Sequence, residues 1–178
     1  MLLSERNHLE LISEALRPQI LEHAALLKSM VSDMEKQIKQ LIDGHSDLKD
    51  MDQLIQSIPG LGLISSATIL AELPEISTLG RKQLAALVGL APFNRDSGQY
   101  RGQRHIYGGR AIVRKVLYCA LRSCLRFNPV VRQWFDHFIS LGNPYKVAAI
   151  ACCRKILGVI RAMLISNTLW EPEMHLKT

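Results

Sequence analysis

In Leu54-Ile55-Gln56-Ser57-Ile58-Pro59-Gly60-Leu61-Gly62-Leu63-Ile64-Ser65-Ser66-Ala67-Thr68-Ile69-Leu70, apolar residues flank the segment Pro59-Gly60-Leu61-Gly62. Proline locks φ and removes an N–H, and glycine opens conformations closed to other residues, so the chain turns there. A new helix follows from about Leu63, and Leu73-Pro74 ends it, because the residue before a proline is pushed out of helical geometry. Ser77 or Thr78 then caps a short helix carrying Leu84, Ala85, Leu87 and Val88. Helix, tight turn and helix at this position predict a mainly α fold.

The turn resembles the helix-hairpin-helix DNA-binding motif. Gly60 and Gly62 let backbone come close to a phosphate. The helix starting near Leu63 points free N–H groups and its positive dipole end at that phosphate, and Ser65 and Ser66 add hydroxyl donors. Such contacts position the duplex without reading its sequence. An ordinary helix connection stiffened by Pro and Gly is the plainer alternative.

Upstream, residues 2 to 17 place Leu9, Ile12 and Leu16 on one helical face, and Pro18 marks a kink or a restart. Ile20, Leu27, Met34, Leu41 and Leu48 then recur every seven residues. Ala24, Val31, Ile38 and His45 sit four residues after each of the first four. This is a heptad seam, and it predicts a coiled coil that joins copies of the chain through residues 19 to 49, with His45 where the seam frays. Leu21 and Leu26 fall off the seam and keep open an amphipathic helix packed on its own domain.

Downstream lies Gly89-Leu90-Ala91-Pro92-Phe93-Asn94-Arg95-Asp96-Ser97-Gly98-Gln99-Tyr100-Arg101-Gly102-Gln103-Arg104-His105-Ile106-Tyr107-Gly108-Gly109-Arg110. This Gly/Arg-rich segment reads as a loop with a short hairpin from Gln99 to Ile106. A loop of roughly twenty residues inside a domain is usually functional or disordered, and its aromatics and regular flanks favour function. Residues 110 to 126 read as a helix with the basic residues Arg110, Arg114, Lys115, Arg122 and Arg126, in which Arg110 and Arg114, four apart, share one face, as do Arg122 and Arg126. Ile112, Val116, Leu117, Ala120 and Leu121 make its apolar side. Pro129 opens a further helix with Val131, Trp134, Phe135 and Phe138, and Gly142-Asn143-Pro144 breaks it. The last helix, Lys146 to about Ile165, is apolar nearly all round and is expected at the centre of the core.

The charge is divided along the chain. Residues 1 to 57 hold ten acids and six bases, residues 58 to 178 six acids and sixteen bases. Between Ile76 and Phe135 there are eleven Arg or Lys and one acid, Asp96. A basic stretch with so little counter-charge points to a nucleic-acid surface. Cys119, Cys124, Cys152 and Cys153 form no CxxC pair and lie in apolar helical stretches, as buried thiols of a reducing cytoplasm do. Met1 to Leu16 carries four charges, unlike a signal peptide, and the apolar run Val147 to Cys153 is too short to span a bilayer. A cytoplasmic protein without membrane partners is expected.

A succession of short segments completes the reading. Ile58-Pro59-Gly60-Leu61-Gly62 is followed by Lys82-Gln83-Leu84-Ala85-Ala86-Leu87-Val88-Gly89-Leu90-Ala91-Pro92, Ser97-Gly98, Arg101-Gly102, Gly108-Gly109 and Arg114-Lys115-Val116-Leu117-Tyr118. Asn128-Pro129 and Lys146-Val147-Ala148 come later. Over roughly residues 50 to 172 this resembles the C-terminal transposase domain of the DEDD-type insertion-sequence transposases, which include pilin-gene invertases and bridge-RNA-guided recombinases. The resemblance implies DNA transposition or site-specific recombination, with Ser97 as the nucleophile that forms a transient phosphoserine link to DNA. It also implies a guide RNA as a possible partner, and Mg²⁺ held by four acids of a separate RuvC-like domain rather than by this chain. Arg95, Arg101, Arg104 and Arg110 would stabilise the phosphate charge, with Gly60, Gly62, Ser65, Ser66, Arg114 and Lys115 completing the DNA-binding set.

The 57 residues before the hairpin read as helical, without the strands that an RNase H fold needs, so the expected readings are a fragment of a longer transposase, a decayed insertion-sequence copy, or one subunit of a split enzyme that meets a RuvC-like domain in trans. The expected layout is a helical extension over 1 to 50, a transposase C-terminal domain over 51 to 172 and a tail over 173 to 178. Two functions remain open: the serine-bearing part of an enzyme that is inactive alone, or a non-catalytic, self-associating DNA-binding remnant.

Overall fold

The computed structural model describes residues 16–93, 105–106 and 108–175. The chain divides into two units, residues 1 to 44 and residues 45 to 178, the second starting six residues before the expected boundary. In the first, helix α1 (Arg17–Asp43) starts at Pro18, which sits in the opening turn where its missing N–H leaves nothing unsatisfied. Leu9 and Ile12, on the preceding apolar face, lie outside the described residues. On α1 the heptad positions Val31, Met34 and Leu41 are 46%, 57% and 67% exposed, an apolar row open to solvent. Lys36–Asp33 and Lys39–Asp43 ion pairs occupy other faces of the helix. The seam ends at Gly44. His45 is extended, with φ −128° and ψ 112°, and Leu48 belongs to the next helix, so the fifth heptad does not continue the first four.

The second unit is mainly α. It comprises α2 (Ser46–Gln56), α3 (Leu63–Glu72), α4 (Arg81–Val88), the strands β1 (Pro92–Phe93) and β2 (His105–Ile106), α5 (Ala111–Phe127), α6 (Pro129–Ser140), α7 (Tyr145–Ser166) and α8 (Pro172–His175). As its composition requires, α7 is the central element, packing on α2, α4, α5 and α6. Ala148, Ala149, Cys152, Cys153, Ile156, Leu157 and Ile160 are all buried along it. Small residues at four of these positions let neighbouring helices come close. Asn167, in the left-handed region at φ 51°, ends the helix.

Local signals set most boundaries. The Asn128 side-chain oxygen accepts from the Val130 and Val131 N–H groups at 3.1 and 3.2 Å, capping α6 ahead of Pro129. At the start of α4 the cap is Gly80, not Ser77 or Thr78. The Gly80 N–H donates to Gln83 Oε1 at 3.0 Å, whereas the Thr78 hydroxyl donates backwards to the Glu75 carbonyl.

On α5 the buried stripe runs Val113, Leu117, Ala120, Leu121 and Cys124. Ile112, expected inside, is 52% exposed. Spacings of three and four counted from Val113 exclude position 112 from that stripe. Three thiols are buried as expected, and burial pushes Cys124 up to about 11 and Cys152 and Cys153 up to about 12. Cys119 is instead exposed, on the outer side of α5. Among the described residues no helix is long and apolar enough to cross a membrane.

Candidate nucleic-acid interface

The turn between α2 and α3 is built by two glycines with different tasks. Gly60 has φ +100°, and a Cβ there would lie 2.5 Å from the Cys124 nitrogen and 2.6 Å from its Cα. Its bare backbone therefore seats the turn against α5, and in this structure that surface meets protein rather than a phosphate. Gly62 faces the other way. It is extended, exposed, and has nothing within 4 Å of a would-be Cβ. It precedes the first turn of α3, whose opening N–H groups have no partner within the helix. Gly62 and the half-buried Ser65 thus stand at an open, electropositive helix end. Ser66 does not join them: it is fully buried, one residue on and turned about 100° toward the core.

The loop from Asn94 to Arg104 is closed at its neck by several independent ties. Pro92 pairs with Ile106 and Phe93 with His105 in an antiparallel β1–β2 ladder. The ladder brackets the loop from outside, wider than the Gln99 to Ile106 hairpin expected, whose tip lies outside the described residues. Below the ladder two glycine segments cross. Gly89 ends α4 in a left-handed conformation at φ 74°, and Gly109 at φ 69° presses on it so closely that a Cβ would meet the Leu87 carbonyl oxygen at 2.7 Å. The Arg110 N–H donates to the Leu87 carbonyl at 2.8 Å.

Arg110 and Arg114 complete the neck. Arg110 makes a two-pronged pair with Glu75, Nη1 to Oε2 at 2.7 Å and Nη2 to Oε1 at 2.5 Å, and also donates to the Glu72 carbonyl. The guanidinium holds the Glu75 carboxyl down at about 2, so both partners stay charged over the ordinary pH range. Arg114 Nη1 donates to the carbonyls of Gly108 at 2.7 Å and Val88 at 3.1 Å. Both were expected on DNA. The structure instead engages Arg110 with the Glu75 carboxylate and the Glu72 carbonyl at the end of α3, and Arg114 with the Gly108 carbonyl and the Val88 carbonyl at the end of α4, where a cation is favoured. Lys115, next along α5, is exposed and open to a partner. Arg95, Ser97, Arg101 and Arg104 lie in the loop outside the described residues.

Sequence reasoning missed other cations. Arg81 and Lys82 at the start of α4, and Lys146, Arg154 and Lys155 on α7, line two grooves on this unit. A basic residue inside an otherwise apolar helix marks where that helix reaches the surface, and this was the available signal. The Lys155 ammonium lies 4.6 Å from the centre of the Trp134 ring. Among the described residues no group of three or more His, Cys, Asp or Glu side chains comes together.

The second unit is a basic helical domain that ties a Gly/Arg-rich loop at its neck. Residues 52 to 136 match the Transposase IS116/IS110/IS902 family, to which this domain belongs. The match runs from within α2 through the turn, the neck, the loop and α5 into α6. The chain is 32% identical over 126 residues to a 42 kDa protein of insertion element IS900 from Mycobacterium paratuberculosis, covering 67% of this chain and 31% of that protein. It is 25% identical over 179 residues to the pilin gene-inverting protein of Moraxella bovis, covering 98% of this chain and 55% of the relative. A 44.8 kDa protein of insertion element IS116 from Streptomyces clavuligerus is 28% identical over 152 residues, covering 82% of this chain and 36% of that protein. The chain thus spans between about a third and just over half the length of these relatives.

Proposed function

We propose that this chain is the DNA-binding, serine-bearing part of a transposase or site-specific recombinase, with Ser97 as its nucleophile. The supporting observation is the neck: a ladder, a glycine crossing and two arginine clamps tie both ends of the Ser97 loop to the helical core. Such anchoring sets a functional segment between two fixed points of a rigid base. In the proposed step Ser97 Oγ attacks a DNA phosphorus and forms a P–O bond. The bond from phosphorus to one neighbouring nucleotide breaks, and the departing oxygen takes a proton while the serine gives one up. Asp96 and His105 are the loop side chains able to take that proton. A RuvC-like domain, in the same polypeptide or in trans, would supply the Mg²⁺, and a guide RNA would direct the site.

The proposed duplex contact is the helix-hairpin-helix-like turn at Gly62, supported by Ser65, Lys115 and the loop arginines. Duplex DNA should bind with little sequence preference, losing affinity steeply between about 50 and 200 mM salt as counterions are released. Replacing Arg101 and Arg104 by Ala should lower the slope of log K against log salt by about 2, one for each lost phosphate contact. Arg110→Ala should act mainly on stability, since its fork is taken by Glu75. Salt-independent binding would refute the DNA reading.

Association through the α1 part of the expected 19 to 49 seam, residues 19 to 43, is proposed from the exposed row Val31, Met34 and Leu41. The break at Gly44 confines the seam to α1. In sedimentation the chain should dimerise at tens of micromolar, roughly the range of a weak dimer. Leu27→Asp with Leu41→Asp should leave it monomeric. A monomeric wild-type chain at that concentration rules the seam out.

A further inference from the structure

Two apolar grooves lie side by side on α7, and Arg154 lines both. The first, about 580 Å³, lies between α4 and α7, with Leu84, Val159 and Ala162 among its walls and Arg81, Lys82 and Lys155 as its other cations. The second, about 640 Å³, is walled by Tyr118 and Ile150, carries Lys146, and reaches Pro92 and Ile106, the paired foot of the Ser97 loop. Among the described residues no acid lines either groove, and Arg154 is exposed with no ion pair. Gly158 keeps the first groove open toward Arg81, whose Nε lies 3.9 Å from where a Cβ would stand.

This arrangement selects an occupant. A duplex presents phosphates and sugar outward and keeps its base faces stacked, so it would use the cations and leave the apolar walls bare. An acidic amphipathic helix lays one continuous apolar face into one continuous groove, whereas here a cation stands between two. An unpaired strand alternates phosphate and base, matching a cation with an apolar recess on either side, and base faces gain from burial against such walls. We propose that the paired grooves hold an unpaired nucleic-acid strand, a backbone phosphate on Arg154 and one base to either side of it. The proposal rests on the nucleic-acid reading above and places the strand beside the foot of the Ser97 loop.

The test is fluorescence anisotropy of the full chain with a short labelled single-stranded DNA, an RNA of the same sequence, and the matching duplex. Arg154→Ala should weaken single-strand binding about tenfold and lower its salt slope by about 1, with duplex affinity changed less than about threefold. Ala162→Phe fills the first groove without altering charge, and should also weaken the strand while sparing the duplex. Equal affinity for DNA and RNA would assign recognition to phosphate and base alone, and a preference for RNA would add a contact to the 2′-hydroxyl. Equal losses for strand and duplex in Arg154→Ala, or no effect of Ala162→Phe in a folded protein, would overturn the proposal. So would loss of self-association in Arg154→Ala with strand affinity unchanged, which would assign the grooves to the acidic N-terminal segment of a second copy. A wild-type chain that binds duplex alone defeats this inference only; one that binds neither defeats the DNA reading as well.

Discussion

Ser97→Ala should abolish the covalent protein–DNA adduct expected when the chain is combined with Mg²⁺, DNA, a RuvC-like domain of the same system and any guide RNA that system uses. The effect is all-or-none because the substitution removes the oxygen that bonds to phosphorus, and no neighbouring group takes its place without a change of geometry. Duplex affinity should stay within about twofold, since phosphate binding is carried by cations and backbone N–H groups. Denaturing electrophoresis of labelled DNA reads both the adduct and the strand break. An adduct that survives Ser97→Ala would move the nucleophile elsewhere, with Tyr100 and Tyr107 the next hydroxyls in the loop. Strand cleavage by the chain without a RuvC-like domain would show that the metal requirement is wrongly assigned.

Gly60→Ala should destabilise the second unit by about 2–4 kcal/mol, combining the cost of a left-handed non-glycine residue with that of overpacking against backbone. The methyl would lie within 2.6 Å of the Cys124 backbone, which is main chain on the buried stripe of α5 and cannot step aside as a side chain can. Gly62→Ala, two residues on, should cost about 0.5–1 kcal/mol, the usual loss at a helix cap, because its Cβ meets nothing. It should nevertheless weaken duplex binding, by holding a phosphate away from the open end of α3. Urea midpoints and anisotropy on both variants separate the two roles. Equal stability losses would show that the glycines are not divided between packing and ligand.

Much of this protein was legible from short-range chemistry. Pro18, Gly89, Asn128 and Pro129 act on their own neighbours, and they start and stop helices where their φ preferences and hydrogen-bonding groups dictate. The apolar character of α7 nearly all round sufficed to put it at the centre. The order of short motifs sufficed for the family. The Ser97 position followed from that order alone, since nothing in a loop serine distinguishes a nucleophile from a turn residue.

Only the tertiary structure decided what the charged and glycine residues touch. Arg110 and Arg114 read as part of a basic face because four-residue spacing reports a shared side of a helix and nothing about its neighbours. Glu75, the partner of Arg110, lies 35 residues away, and Val88, which Arg114 clamps, lies 26 away. Periodicity carried the heptads past Gly44, yet the extended backbone of His45 ends the helix there and moves Leu48 onto another element. Gly60 and Gly62 are alike in sequence, and the fold sets one against Cys124 and leaves the other open. The grooves at Arg154 arise where α7 meets α4 on one side and the loop neck on the other. The sequence by itself determined which segments are helices, where most of them end and which family they belong to, because those properties depend on residues within a turn or two of each other. Which side chains remain free for a ligand was decided by long-range packing, because an arginine or a glycine serves whichever backbone the fold brings against it.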